Sequence, residues 1–236
     1  MKVKICGITR YEDVSKCEEL GANLIGFINI ERSKRHVNIK EIIKLVSTMK
    51  NKHRAVLVLE PDNPEEVVMK MKKTGIRTVQ LHSLSYNEIK YLRWIEGFQR
   101  NPFERRLKVI RAVGLSEESL EGEEFRFSNV KKEEIEGFAK TSDSLLFDYQ
   151  VEGKSGGTGR QIPIKMVLEA IKIAKSVNST VGIFLAGGMN SERILNEKHV
   201  LEKILDYVDV NSGVEEAPGI KNPGLVYELM EIEILN

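Results

Sequence analysis

The chain's clearest chemical stretch is Leu145-Leu146-Phe147-Asp148, followed by Lys154-Ser155-Gly156-Gly157-Thr158-Gly159-Arg160. The apolar run reads as a buried strand that delivers one carboxylate, Asp148, before the glycines break it. A glycine-rich loop lets backbone N–H groups turn toward an anion, because no Cβ blocks the approach. Gly156, Gly157 and Gly159 are therefore candidate phosphate contacts. Gly187-Gly188 and Ser212-Gly213 also follow apolar runs and offer the same kind of cradle. Cys6 closes the first apolar run, Gln80 and His82 close the fourth, and Arg35 lies in a basic loop. Each of these has a plain alternative. A free cysteine is commonly a small buried hydrophobe, His82 can be a satisfied core histidine, and Arg35 can be a solvated loop charge. Cys17 shares a helix face with Val14 and Leu20 and reads as structural.

The elements that must hold these residues alternate along the whole chain. Strands are expected at Val3 to Ile8, Leu24 to Asn29, Ala55 to Leu59, Thr78 to His82, Leu107 to Val113, the stretch ending at Asp148, Gly182 to Ala186, and Val208 to Val210. Between them lie amphipathic helices. Tyr11 to Gly21 is the first, and Asn38 to Lys50 carries Ile39, Ile42, Ile43 and Val46 at helical spacing. Asn63-Pro64 opens the third in cap-then-proline order. Tyr86 to Gly97 has Ile89, Leu92 and Ile95 inward with Trp94 nearby. Ser116 to Asn129 is acidic and polar and carries no clear pattern before a helix resumes near Lys132. Later helices start near Ile164, just after Pro163, and near Ser191, and the last runs to Ile234.

Eight such units with no linker between them predict an α/β fold, one (β/α)8 barrel domain over residues 1–236. The connection around residues 116–143 is elaborated. Near-continuous apolar runs suit parallel strands covered by helices. A doubly wound sheet usually carries its phosphate glycines after the first strand, whereas here they follow strands six, seven and eight. In a barrel, those last positions frequently hold a phosphate at loop amides and a helix N-terminus.

Composition narrows the partners. The formal charge of +1 arises from 36 basic and 35 acidic side chains, so no global field points to nucleic acid or membrane. Two cysteines are too few for a disulfide framework or a zinc site, and the four histidines show no metal-ligand spacing. The chain enters a strand pattern at once, and no apolar run approaches about 18 residues. A cytoplasmic, reduced setting is expected.

Lys4-Ile5-Cys6-Gly7-Ile8-Thr9 resembles the opening motif of the phosphoribosylanthranilate isomerases of tryptophan biosynthesis. Gly21 to Phe27, Val79-Gln80-Leu81-His82, Asp148 to Arg160, Leu185 to Asn190, Asp209 to Glu215 and Pro218 to Lys221 are similar to that family's motifs, in the family's order. The likeness runs end to end, with three departures: Lys34 where proline is common, Ser83 where glycine is usual, and Asn211 where serine is common.

The resemblance implies an Amadori rearrangement of a small phosphosugar substrate, with no metal, cofactor or nucleic acid, by a monomer or homodimer. It makes Asp148 the acid that opens the ring and Cys6 the base that takes the C2′ proton. The fork of Arg35 would grip the anthranilate carboxylate, with Gln80 and His82 also touching substrate. Lys4 shares a strand face with Cys6 by the period-two rule and is a candidate charge partner for it. Another phosphosugar isomerase or epimerase of the phosphate-binding barrels is the alternative. An epimerase of that kind would need metal-binding His and Asp residues at strand ends, a cluster this sequence lacks.

Overall fold

The computed structural model describes residues 1–99, 105–116, 120–121, 126–151, 154–155 and 161–234. Eight parallel strands form its centre: β1 (Lys2–Ile5), β2 (Leu24–Asn29), β3 (Ala55–Leu59), β4 (Thr78–Leu81), β5 (Lys108–Leu115), β6 (Ser144–Val151), β7 (Gly182–Leu185) and β8 (Tyr207–Val210). They pair in chain order, and β6–β7 and β8–β1 pairings complete a closed barrel. Outside it lie α1 (Tyr11–Glu19), α2 (Ile39–Thr48), α3 (Pro64–Thr74), α4 (Tyr86–Gln99), α5 (Asn129–Thr141), α6 (Ile164–Val177), α7 (Ser191–Ile204) and α8 (Pro223–Ile234). The expected (β/α)8 barrel is the observed one. No helix among the described residues is long and apolar enough to cross a membrane.

Strand alternation sorts the core into two shells. Ile5, Phe27, Leu57, Val79, Val109, Phe147 and Leu185 face the helices in the larger one. Inside the barrel a smaller cluster joins Cys6, Ile28, Val56, Val58, Ile110, Ala112, Leu146, Phe184 and Ala186. Phe184 stacks on Tyr207 at 4.3 Å between ring centres and packs with this inner cluster.

Local chemistry sets the element ends. Asn38, Asn63 and Asn190 each accept the backbone N–H three residues on, capping α2, α3 and α7. Gly75 closes α3 in a left-handed conformation at φ +72°. The first strand is shorter than Val3 to Ile8, because Gly7 at φ +76° leaves the extended region. On α2 the inward face is Ile42, Leu45 and Val46, while Ile43 is 40% exposed: the apolar stripe is rotated from the expected one. Trp94 points to solvent from α4 rather than joining Ile89, Leu92 and Ile95. The patternless stretch after β5 contains a two-residue antiparallel pair, Leu120–Glu121 with Arg126–Phe127. Helix α5 starts at Asn129, earlier than Lys132, because Ser128 caps it through the Lys131 N–H.

Candidate active site

The C-terminal ends of the strands open onto a cavity of about 360 Å3, within the range of small-molecule pockets. Cys6, Arg35, Gln80, His82, Asp148, Gly187, Gly188 and Ser212 all line it, so residues scattered over more than two hundred positions converge. Gly156, Gly157 and Gly159 lie outside the described residues. Gly213 is not on the cavity wall. A Cβ there would sit 2.1 Å from the Met189 carbonyl oxygen, so this glycine lets the loop after β8 pack flush on the loop after β7.

Cys6 follows β1 and points into the barrel, where Gly26 of β2 leaves it room. A Cβ on Gly26 would lie 2.8 Å from the Cys6 sulfur. Two residues earlier on the same face is Lys4, wholly buried, in register with Asp209 of β8. Lys4 Nζ donates to Asp209 Oδ2 at 2.8 Å. Burial works against the charge on Lys4, but Asp209 first and Cys6 next hold its pKa above the ordinary value. Burial pushes the Cys6 thiol up; Lys4 pulls it back and Asp209 opposes that pull. Lys4 thus favours the thiolate form of Cys6, but burial outweighs it and leaves the thiol above its ordinary value.

Asp148 sits near the end of β6, 6% exposed. Burial raises its carboxyl to about 7, against the bond it accepts from the Tyr149 N–H at 2.8 Å, while Asp209 adds to the rise. A carboxyl held near neutrality can be protonated at working pH and still give that proton away, as a general acid must.

Gln80 Nε2 and His82 Nε2 are 2.8 Å apart. Burial, helped by Arg111 and Lys4, lowers His82 to about 4, so it presents a neutral imidazole. With the Gln80 amide as donor, Nε2 accepts and the ring hydrogen lies on Nδ1. Among the described residues the buried Gln80 Oε1 has no hydrogen-bond partner, in a side chain that lines the cavity.

Arg35 reaches the cavity from a compact loop after β2. Ser33 Oγ accepts its N–H, and the Val37 N–H returns to the Ile28 carbonyl, so the loop folds with Lys34 in place. Its guanidinium is already engaged: Nε lies 2.8 and 3.0 Å from the two Glu215 oxygens and Nη2 2.5 Å from Oε2. Lys221 Nζ shares the same carboxylate at 2.9 Å.

On the same cavity wall, Gly187 and Gly188 adopt φ +74° and +65°, a left-handed pair that side chains resist. Buried Arg193 of α7 donates to the Gly187 carbonyl at 2.9 Å and fixes the turn. The cap of α7 at Asn190 and the turn Ser212–Val214 stand beside it. Helix and loop N–H groups of this kind suit a phosphate.

Sequence reasoning did not single out Asp209, Glu215 or Lys221. All three stood within motifs, but the partners of Asp209 and Glu215 lie 205 and 180 positions away, and only barrel closure brings those pairs together. Among the described residues, no three His, Cys, Asp or Glu side chains converge as metal ligands.

Comparison with known proteins agrees with this geometry. A relative from Methanothermobacter thermautotrophicus, N-(5′-phosphoribosyl)anthranilate isomerase, is 36% identical over 97% of this chain and 87% of its own length. The enzyme of that name from Aquifex aeolicus is 32% identical, over 98% of this chain and 97% of its own. The crystal structure of phosphoribosyl anthranilate isomerase from Thermus thermophilus superposes with a TM-score of 0.74 at 27% identity, covering 100% of both chains. The model of the N-(5′phosphoribosyl)anthranilate (PRA) isomerase family matches residues 3–232. With strand ends, glycine loops and whole-length similarity all in accord, this chain belongs to the phosphoribosylanthranilate isomerase family.

Proposed function

We propose that this protein performs the rearrangement for which its family is named, with Asp148 as acid and Cys6 as base. The substrate is N-(5′-phosphoribosyl)anthranilate, an aminoaldose. The product is the ketose 1-(2-carboxyphenylamino)-1-deoxyribulose 5-phosphate, on the route to tryptophan. Protonated Asp148 gives its proton to the furanose ring oxygen, the C1′–O bond breaks, and the nitrogen lone pair forms an iminium. The Cys6 thiolate then takes the C2′ proton, and that electron pair moves to nitrogen through the new C1′–C2′ double bond. The enolamine tautomerises to the ketone. Asp148 has then given up one proton and Cys6 has gained one. Exchange through solvent, with the thiol losing a proton and the carboxylate taking one up, resets both, and because the nitrogen is the electron sink the electrons balance within the substrate.

Arg35 anchors the anthranilate carboxylate, Gln80 and His82 contact the sugar, and Gly187, Gly188 and Ser212 hold the phosphate. The carrying observation is the Asp148 carboxyl, raised by burial to about 7 in the cavity that Cys6 also lines. We read the whole chain as one barrel domain and place its reaction in the cytoplasm, as accords with a biosynthetic step on a phosphorylated substrate. A monomer and a homodimer both fit; a structural relative is described as dimeric.

The test is consumption of freshly made phosphoribosylanthranilate by the purified protein, followed as loss of anthranilate-type fluorescence. Asp148→Asn and Cys6→Ala should each slow turnover by about 10²-fold or more, the lower end of a general acid–base contribution. No consumption by the unaltered chain would overturn the function, and near-normal turnover in either variant would remove that residue's role.

A further inference from the structure

Glu215 stands beside the place where an anionic ligand is to be held, and its charge has the wrong sign for that ligand. Its side chain is 4% exposed and accepts from Arg35 Nε and Nη2, from Lys221 Nζ and from the Gly219 N–H at 3.1 Å. Burial opposes its charge, but the Arg35 bond and Lys221 hold its pKa below the ordinary carboxylate value. Two cations share one carboxylate, so one positive charge remains. Glu215 therefore does not cancel the attraction for an anion.

A guanidinium has two edges that can meet a carboxylate through paired N–H groups: Nε with Nη2, and Nη1 with Nη2. Glu215 fills the first. Among the described residues Nη1 has no hydrogen-bond partner, and Arg35 lines the cavity. The stem is held as well: a Cβ on Gly7 would lie 2.7 Å from Arg35 Cδ, so the arginine lies flat across the first loop only because residue 7 is glycine. Thr9 Oγ1 also donates to the Gly219 carbonyl at 2.5 Å, and the Lys221 N–H to Asp13 Oδ2 at 3.2 Å. The short hairpin that pairs Glu215–Ala217 with Ile220–Lys221 is thereby fastened to the loop after β1 through Thr9 and to α1 through Asp13.

We infer that Glu215 is a positioning residue that clamps Arg35 by its Nε/Nη2 edge and presents the Nη1/Nη2 edge to the aryl carboxylate of the substrate. This rests on Arg35 being the carboxylate anchor. Fixing a rotamer-rich side chain before binding removes an ordering cost that corresponds to an affinity change of about two- to twelvefold. It also selects one direction of approach, so the clamp governs discrimination between ligands with and without the carboxylate.

The experiment compares two ligands by calorimetry: the reduced form of the product, and its phenylamino counterpart lacking the carboxylate. The ratio of their Kd values measures carboxylate discrimination. In Glu215→Gln that ratio should fall by about tenfold, with the phenylamino ligand changed by less than about twofold. KM should rise while kcat stays within about threefold. Glu215→Asp, which keeps the charge, should recover part of the loss.

An unchanged ratio, or equal weakening of both ligands, would overturn the clamp. Arg35→Met separates the two claims. If discrimination survives in Arg35→Met, the anchor reading itself fails; if it is lost there but kept in Glu215→Gln, only the clamp fails. Should Glu215→Gln not fold because buried Lys221 keeps its bonds to Asn211 but loses its ion-pair partner, the double variant Glu215→Gln/Lys221→Met restores charge balance, and the same ratio is read there.

Discussion

Asp148→Asn should make the protein more stable as it makes it less active, and the gain should depend on pH. The carboxyl is buried at the end of β6 with its pKa raised from 3.8 to about 7. A folded-state value above the unfolded one means that the folded protein binds more protons in that window. The stability linked to this group is fully present below about pH 4 and is lost as pH rises through about 7. Integrating between the two states gives a cost of about 1.5 kcal/mol at about pH 5 and about 4 kcal/mol at about pH 8. Asparagine has nearly the same shape and no charge to desolvate. Relative to the unaltered protein, Asp148→Asn should therefore gain about 2.5 kcal/mol on going from about pH 5 to about pH 8. Urea unfolding followed by far-ultraviolet circular dichroism at the two pH values measures this directly. The same shift sets the supply of acid. At about pH 7 roughly half the molecules carry the proton, against roughly one in a thousand for an unperturbed aspartate. Turnover limited by ring opening should then decline by about tenfold for each unit above neutrality. A stability difference between Asp148→Asn and the unaltered chain that does not vary with pH would refute the argument.

Two further outcomes follow from the same geometry. Cys17 is fully buried on α1 and pushed up to about 12, chiefly by burial, whereas Cys6 lines the cavity. Mass spectrometry after brief alkylation should find Cys6 modified first, faster as pH rises, slowed by bound product, and in step with inactivation; full activity after its complete modification would remove it as the base. Gly213→Ala must displace the Met189 carbonyl and should lower stability by about 1–3 kcal/mol. It should also weaken simple ribulose phosphates and product alike, and unchanged affinity for the simple phosphosugars would show that these two loops do not form the phosphate seat.

Much of this architecture was legible because its signals are local. A run such as Ala55 to Leu59, buried at every position, announces a covered parallel strand without reference to anything distant. Asn63-Pro64 encodes the start of α3 within two residues. Cys6 and Asp148 could be named because strand ends in a barrel share one face. What escaped depends on closure. That Lys4 meets Asp209 follows from the register of the last strand on the first, which no local pattern specifies. The fork of Arg35 was expected to grip a carboxylate of the substrate, and its Nε/Nη2 edge proves to hold Glu215 from the far end of the chain, which no local pattern announces. The outward turn of Ile43 and Trp94 has a simpler cause: helical spacing defines a stripe, but the barrel beneath decides which edge of that stripe is covered.

The electrostatics also bear on the order of events in the proposed mechanism. Asp148 and Cys6 are both displaced upward by burial, and this suits them unequally. An acid is made ready by holding its proton, whereas a base is made idle. Lys4 favours the thiolate, but Asp209 at 2.8 Å offsets much of its field. Ring opening changes the balance, because protonation of the leaving oxygen creates an iminium beside C2′. A positive charge in a poorly hydrated cavity favours a neighbouring thiolate far more than it would in water. The acid step thus prepares the base step, and the pocket need not keep a reactive thiolate between turnovers. On this reasoning the alkylation rate of Cys6 in the free protein understates its competence during catalysis, so slow labelling at neutral pH is the expected companion of an active enzyme.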